Sequence, residues 1–93
     1  MTKDLFNFNQ ARNPELEDDE YVLKSDENIR IQVCAYEEGT SYVLNEYGQD
    51  DPNNDATFWV KDCGEFQHLD MAMENAVRLG EKRAAPEPSG PKM

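Results

Sequence analysis

Ile29-Arg30-Ile31-Gln32-Val33-Cys34-Ala35-Tyr36 alternates apolar and more polar residues over eight positions, and this octet decides the fold. Successive side chains of a β-strand point to opposite faces, so Ile29, Ile31, Val33 and Ala35 share one side while Arg30, Gln32, Cys34 and Tyr36 share the other. A helix would scatter both sets around its circumference. The octet therefore predicts a strand with one buried face and one wet face, as in an antiparallel sheet.

Working outward, Tyr21-Val22-Leu23-Lys24 is a short apolar run separated from the octet by Ser25-Asp26-Glu27-Asn28, a turn by composition. On the other side, Glu37-Glu38-Gly39-Thr40 leads into Ser41-Tyr42-Val43-Leu44-Asn45-Glu46-Tyr47, whose β-branched and aromatic content suits a paired strand. Gly48 to Ala56 is a loop of Gly, Pro, Asn and Asp. Thr57-Phe58-Trp59-Val60-Lys61 then predicts a further strand, closed by Asp62-Cys63-Gly64. From His68 the period changes: Leu69, Ala72, Met73, Ala76, Val77 and Gly80 recur at three- and four-residue steps and form one helical stripe. Asp70 at its start and Arg78, Lys82 and Arg83 toward its end suit the helix dipole, and Glu74 is spaced to pair with Arg78.

These elements predict an α+β fold, a three- to four-stranded antiparallel β meander with one C-terminal helix packed on one face. Its core is expected from Ile29, Ile31, Val33, Val43, Phe58, Val60, Leu69, Met73, Ala76 and Val77. Residues 1–14, with Leu5, Phe6 and Phe8 ahead of Pro14 but no clear period, predict a flexible N-terminal arm that docks its aromatics on the module. Residues 15–83 are expected to form a single acidic domain, and 84–93, with three prolines, a disordered tail. The 93 residues leave room for one modest core and no second domain.

The composition, with 17 Leu, Ile, Val and Phe residues and a net charge of −11, lies in the range typical of disordered chains. Every Ile, Val, Tyr and Trp falls between Tyr21 and Leu79, however, so a folded module is expected within that segment. No apolar run approaches the roughly 18 residues that span a bilayer, and the N-terminus lacks the apolar stretch of a signal peptide. A cytoplasmic protein with two reduced thiols, Cys34 and Cys63, is expected.

Between Glu15 and Asp62 there are fourteen carboxylates against Lys24, Arg30 and Lys61, so this segment carries −11 by itself; the acids and bases of the remainder cancel. Solubility alone is satisfied by a net charge of about 2 to 8 in a small domain. The segment's excess predicts a binding surface built from Glu17, Asp18, Asp19 and Glu20, from Asp26 and Glu27, from Glu37 and Glu38, and from Glu46, Asp50, Asp51 and Asp55. These turn and strand-edge acids are expected to crowd the side of the sheet away from the helix, where a basic nucleic-acid-binding groove would attract them as it attracts phosphates.

Chemistry beyond binding finds little support. His68 is the lone histidine, at the expected start of a helix, with no nucleophile signature around it, so no catalytic residues are expected. Zinc needs about four Cys or His ligands and the chain has three such residues. Asp51, Asn53, Asp55 and Asp62 partly echo a calcium loop, but Ala56 stands where glycine makes the sharp turn, so no metal or other cofactor is expected. Nine basic residues against twenty acids argue against direct contact with nucleic acid.

In its size, in the acid excess from Glu15 to Asp62 and in its strand-strand-helix order ending at Phe66-Gln67-His68-Leu69-Asp70-Met71-Ala72-Met73, the chain resembles the small acidic inhibitors of phages and other mobile elements, notably anti-CRISPR and anti-restriction proteins. The resemblance implies a non-catalytic inhibitor, monomeric or dimeric, whose partner is a CRISPR effector, nuclease or other protein with a basic surface. A second expectation stands beside it: an accessory or antitoxin-like interaction module that binds through a sheet edge or apolar patch, its acids only a solvated face.

Overall fold

The computed structural model describes residues 2–84. Strands β1 (Phe6–Asn9), β2 (Glu20–Leu23), β3 (Ile29–Tyr36), β4 (Gly39–Gln49) and β5 (Phe58–Phe66) form one antiparallel sheet in chain order, and helix α1 (Leu69–Ala84) packs on one face. Short 3-10 turns occupy Thr2–Leu5 and Asp55–Thr57. The class is α+β as expected, with five strands instead of three or four.

The additional strand comes from the segment expected to be a flexible arm. Phe6 pairs with Leu23 and Phe8 with Tyr21 in β1–β2 register. The Phe6 ring is buried in the core, and the Phe8 and Tyr21 rings lie 4.9 Å apart. Four residues are too few to display a period, so burial of an aromatic ring, with no local signal, makes this strand. Ala84 closes α1, and the rest of the expected tail lies outside the described residues.

The octet's inner face is buried only over its first part: Ile29 and Ile31 are fully buried, whereas Ala35, at its far end, is exposed. Ile31 lies opposite Leu44, so Leu44 and not Val43 faces the helix. With Phe6, Leu23, Ala72, Met73 and Ala76 these residues make the core, and Val33, Leu69 and Val77 are half-buried. Full burial of each large aliphatic side chain contributes roughly 1.5–3 kcal/mol. Gly39, at φ +143°, lets the Glu37-Glu38 turn close while both acids keep ordinary φ values.

Phe58 and Val60, expected in the core, are instead 53% and 52% exposed. Register explains why: Val60 lies opposite Tyr47 and Phe58 opposite Gln49, so both point to the face that α1 does not cover. Helix α1 leaves the sheet at the end of β5 and crosses the other face toward the β2–β3 turn: Gly80 lies against Leu23, and Arg83 bonds Asp26 and Glu46. β5 also runs through Asp62-Cys63-Gly64, which was expected to end it. The register shifts there by one residue, pairing Leu44 with Gly64 and Asn45 with Asp62, so Cys63 is a bulge. Gly64 adopts φ +137°, a value that a side chain resists, and its N–H bonds the Asp62 carboxylate.

Candidate protein-docking surface

Topology distributes the acids. Successive connections of a meander alternate between the two ends of a sheet, so the 10–19 connection and the Glu37-Glu38 turn share one end. The 24–28 turn and the 50–57 connection share the other. Glu37 and Glu38 are thus separated from Asp26 and Glu27 by the length of β3, about 26 Å at the usual rise per residue, whereas Asp18 and Asp19 lie alongside Gln32 and Val33 in its middle. Glu20, Asp62 and Glu65 stand on the face away from the helix and Asp18 reaches it at Gln32, while Glu46 lies beneath α1. The expected crowding on one side does not occur; two acidic ends do.

Several of these carboxylates are already engaged. Glu20 pairs with Arg30 at 3.1 Å, and Asp26 and Glu46 both pair with Arg83. Asp18 accepts from Gln32 at 2.6 Å and Asp19 from the Ala11 N–H at 2.8 Å, which holds the 10–19 connection against the sheet. Glu17 accepts from the Arg12 and Asn13 N–H groups. Asp51 closes its own turn through the Asn53 N–H, Asp55 accepts from Gln49, and Asp50 accepts from the Trp59 indole at 3.2 Å. Among the described residues Glu27, Glu37 and Glu38 are exposed and make no ion pair. The neutral hydrogen bonds fix positions without cancelling charge, so both ends stay strongly negative.

The open face was anticipated only as the polar half of the octet, yet it forms a groove of about 670 Å³ beneath the 10–19 connection. Asn45, buried, donates to Gln32, which donates to Asp18. Arg30 lies over the Tyr47 ring, 5.2 Å from its centre, and donates to the Glu27 carbonyl. Beyond Tyr47 the face turns apolar: its ring lies 5.9 Å from that of Phe58, with Val60 alongside. The exposed Phe58, Trp59 and Val60 are the surface residues that sequence reading missed, because β-branched and aromatic residues signal a strand without saying whether anything covers it.

The candidate chemical groups are not brought together. Cys34 lies on the open face, opposite Ser41, whereas Cys63 packs against the core beneath α1; both are free thiols. Burial first, then the Asp18 carboxylate, pushes the Cys34 thiol above its ordinary 9.0, and burial followed by Glu46 does the same for Cys63. His68 is exposed, and its carbonyl accepts the first helical bond, from Ala72. Asp62 stands on β5, away from Asp51 and Asp55, with its carboxylate on the Gly64 N–H. Among the described residues no group of three or more His, Cys, Asp or Glu side chains is arranged to hold a metal ion, and no helix is long and apolar enough to cross a membrane. Comparison with protein-family models, with curated proteins and with solved structures returned no match to this chain.

Proposed function

We propose that this protein is a non-catalytic inhibitor that occupies a basic nucleic-acid-binding surface of another protein. The observation that carries the reading is the pair of acidic ends on one sheet. Carboxylates held about 26 Å apart by β3 offer a cationic channel two negative anchorages at fixed spacing, as a phosphate backbone does. Long-range attraction toward a net charge of −11 speeds encounter, and the sheet limits the entropy lost on docking. Partners of this chemistry include CRISPR effectors and restriction nucleases, the targets of the inhibitors that the chain resembles.

Displacement of a labelled DNA duplex from such an enzyme, read by fluorescence anisotropy, tests the reading. The protein is expected to displace the duplex at low salt and to lose that ability steeply as salt rises. Reversing Asp18 and Asp19, or Asp50 and Asp51, to Lys should weaken displacement from either end independently. Undiminished displacement by the fourfold variant would end the proposal.

A further inference from the structure

We propose that the outer edge of β5, from Phe58 to Asp62, receives an extended strand of the cationic partner and enlarges the sheet by one strand. This rests on the docking reading above and names how contact is made.

The hydrogen-bond ladder identifies the free groups. The Asp50 N–H bonds the Thr57 carbonyl, and bonded and non-bonded pairs alternate along an antiparallel ladder. Gly48 with Trp59 and Glu46 with Lys61 are then the bonded pairs. The N–H and C=O groups of Val60 and Asp62 and the C=O of Phe58 point away from β4, the Phe58 N–H being taken by the Asp55 carbonyl, and β5 has no neighbour on that side among the described residues. At the far end the bulge at Cys63 and the Asp62 carboxylate on the Gly64 N–H close the edge to further pairing. A bounded, five-residue edge remains, about 17 Å long.

Edge strands of this kind are normally shortened, charged or covered, because unpaired backbone invites another chain. This one carries Phe58, Trp59 and Val60, each at least 36% exposed. Trp59 is braced: its ring lies over Gly48, where there is no room for a side chain, and its indole N–H bonds Asp50. The surroundings select the occupant. Asp62 lies on the edge, and Asp50, Asp51 and Asp55 lie at its Phe58 end. An apolar strand bearing Lys or Arg meets opposite charge at both ends, whereas a second copy of this chain brings another −11. Two-fold pairing centred on Asp62 or Lys61 would also set like charges directly opposite each other, which destabilises a strand pair.

A short peptide of alternating lysine and valine is the probe, with a glutamate–valine peptide as its control, and amide hydrogen exchange by NMR is the readout. The Lys-Val peptide is expected to bind and to protect the Val60 and Asp62 amides; the Glu-Val peptide is not. Val60→Pro removes an outward donor while sparing the β4 ladder and should weaken binding about tenfold or more. Val60→Lys, which retains every backbone group and places a like charge against the peptide, should weaken it similarly and serves if the proline variant fails to fold. Protection of these amides that rises with protein concentration alone would show a second copy on the edge and overturn the proposal. Salt-sensitive peptide binding without protection at these amides, and indifferent to both variants, would also overturn it while leaving the electrostatic reading intact. Absence of peptide binding at any salt would overturn it as well.

Discussion

Cys34 shows how a single side chain takes its chemistry from neighbours that are distant in sequence. Its place on the outer half of the Ile29–Tyr36 octet sets it on the open face, but Asp18, sixteen residues earlier, is what approaches its sulfur at 4.0 Å. Partial burial and that carboxylate both favour the protonated thiol, and Glu65 adds to them, against an opposing hydrogen bond to Tyr36. Alkylation by iodoacetamide at pH 8 is therefore expected to run slower at Cys34 than in a free peptide, and Asp18→Asn should speed it. Mass spectrometry of the modified chain reads both rates. A raised thiol pKa also sets the sign of a pH effect. Below about pH 9 folded and unfolded chains hold the proton alike; above it the unfolded chain releases first, so stability falls. Thermal unfolding between pH 8 and 10 should show the decline, diminished in a Cys34→Ser, Cys63→Ser variant.

At the scale of elements, one residue fastens the helix to the sheet. Arg83, in the last turn of α1, bonds Asp26 of the β2–β3 turn at 2.7 Å and Glu46 of β4. Its raised guanidinium pKa, owed first to the Asp26 hydrogen bond, reflects this double engagement. Arg83→Met keeps the aliphatic stem but leaves two carboxylates facing each other, and is expected to cost roughly 1–3 kcal/mol in urea unfolding. Arg78→Met is the control. Its bond to Glu74 is as short, 2.6 Å, but both side chains are more than 60% exposed, so the loss should stay below about 0.5 kcal/mol. The Glu74–Arg78 pair was legible from spacing, because helical geometry brings positions four apart together. Nothing local could announce Arg83 with Asp26, since 57 residues separate them.

For the whole molecule, the dominant electrostatic fact is self-repulsion. The charge of −11 sits on a small sheet, and the ion pairs within its acidic segment engage only Glu20, Asp26 and Glu46 among the described residues. Screening lengths fall from about 30 Å at 0.01 M salt to about 3 Å at 1 M, so salt relieves repulsion between the two acidic ends. The melting temperature is expected to rise with sodium chloride, by several degrees between 0.01 and 0.5 M, in differential scanning fluorimetry. Docking responds in the opposite sense, since the same screening weakens attraction to a cationic partner. A protein that becomes more stable yet binds less as salt rises is the joint signature of this charge arrangement.

Periodicity alone determined the α+β class, strands β2 to β4 to within a few residues, the first half of β5, and the apolar stripe of α1, because alternation and three- to four-residue steps follow from backbone geometry that each segment carries within itself. Total charge and its confinement between Glu15 and Asp62 were likewise complete in the chain. Tertiary structure decided the rest. Burial of Phe6 drew the N-terminal segment into the sheet as β1, the β4–β5 register turned Phe58 and Val60 to the face that α1 leaves uncovered, and alternation of turns between the sheet's ends divided one acidic segment into two clusters. Each of these depends on which surfaces meet across the fold, and that relation belongs to no single stretch of residues.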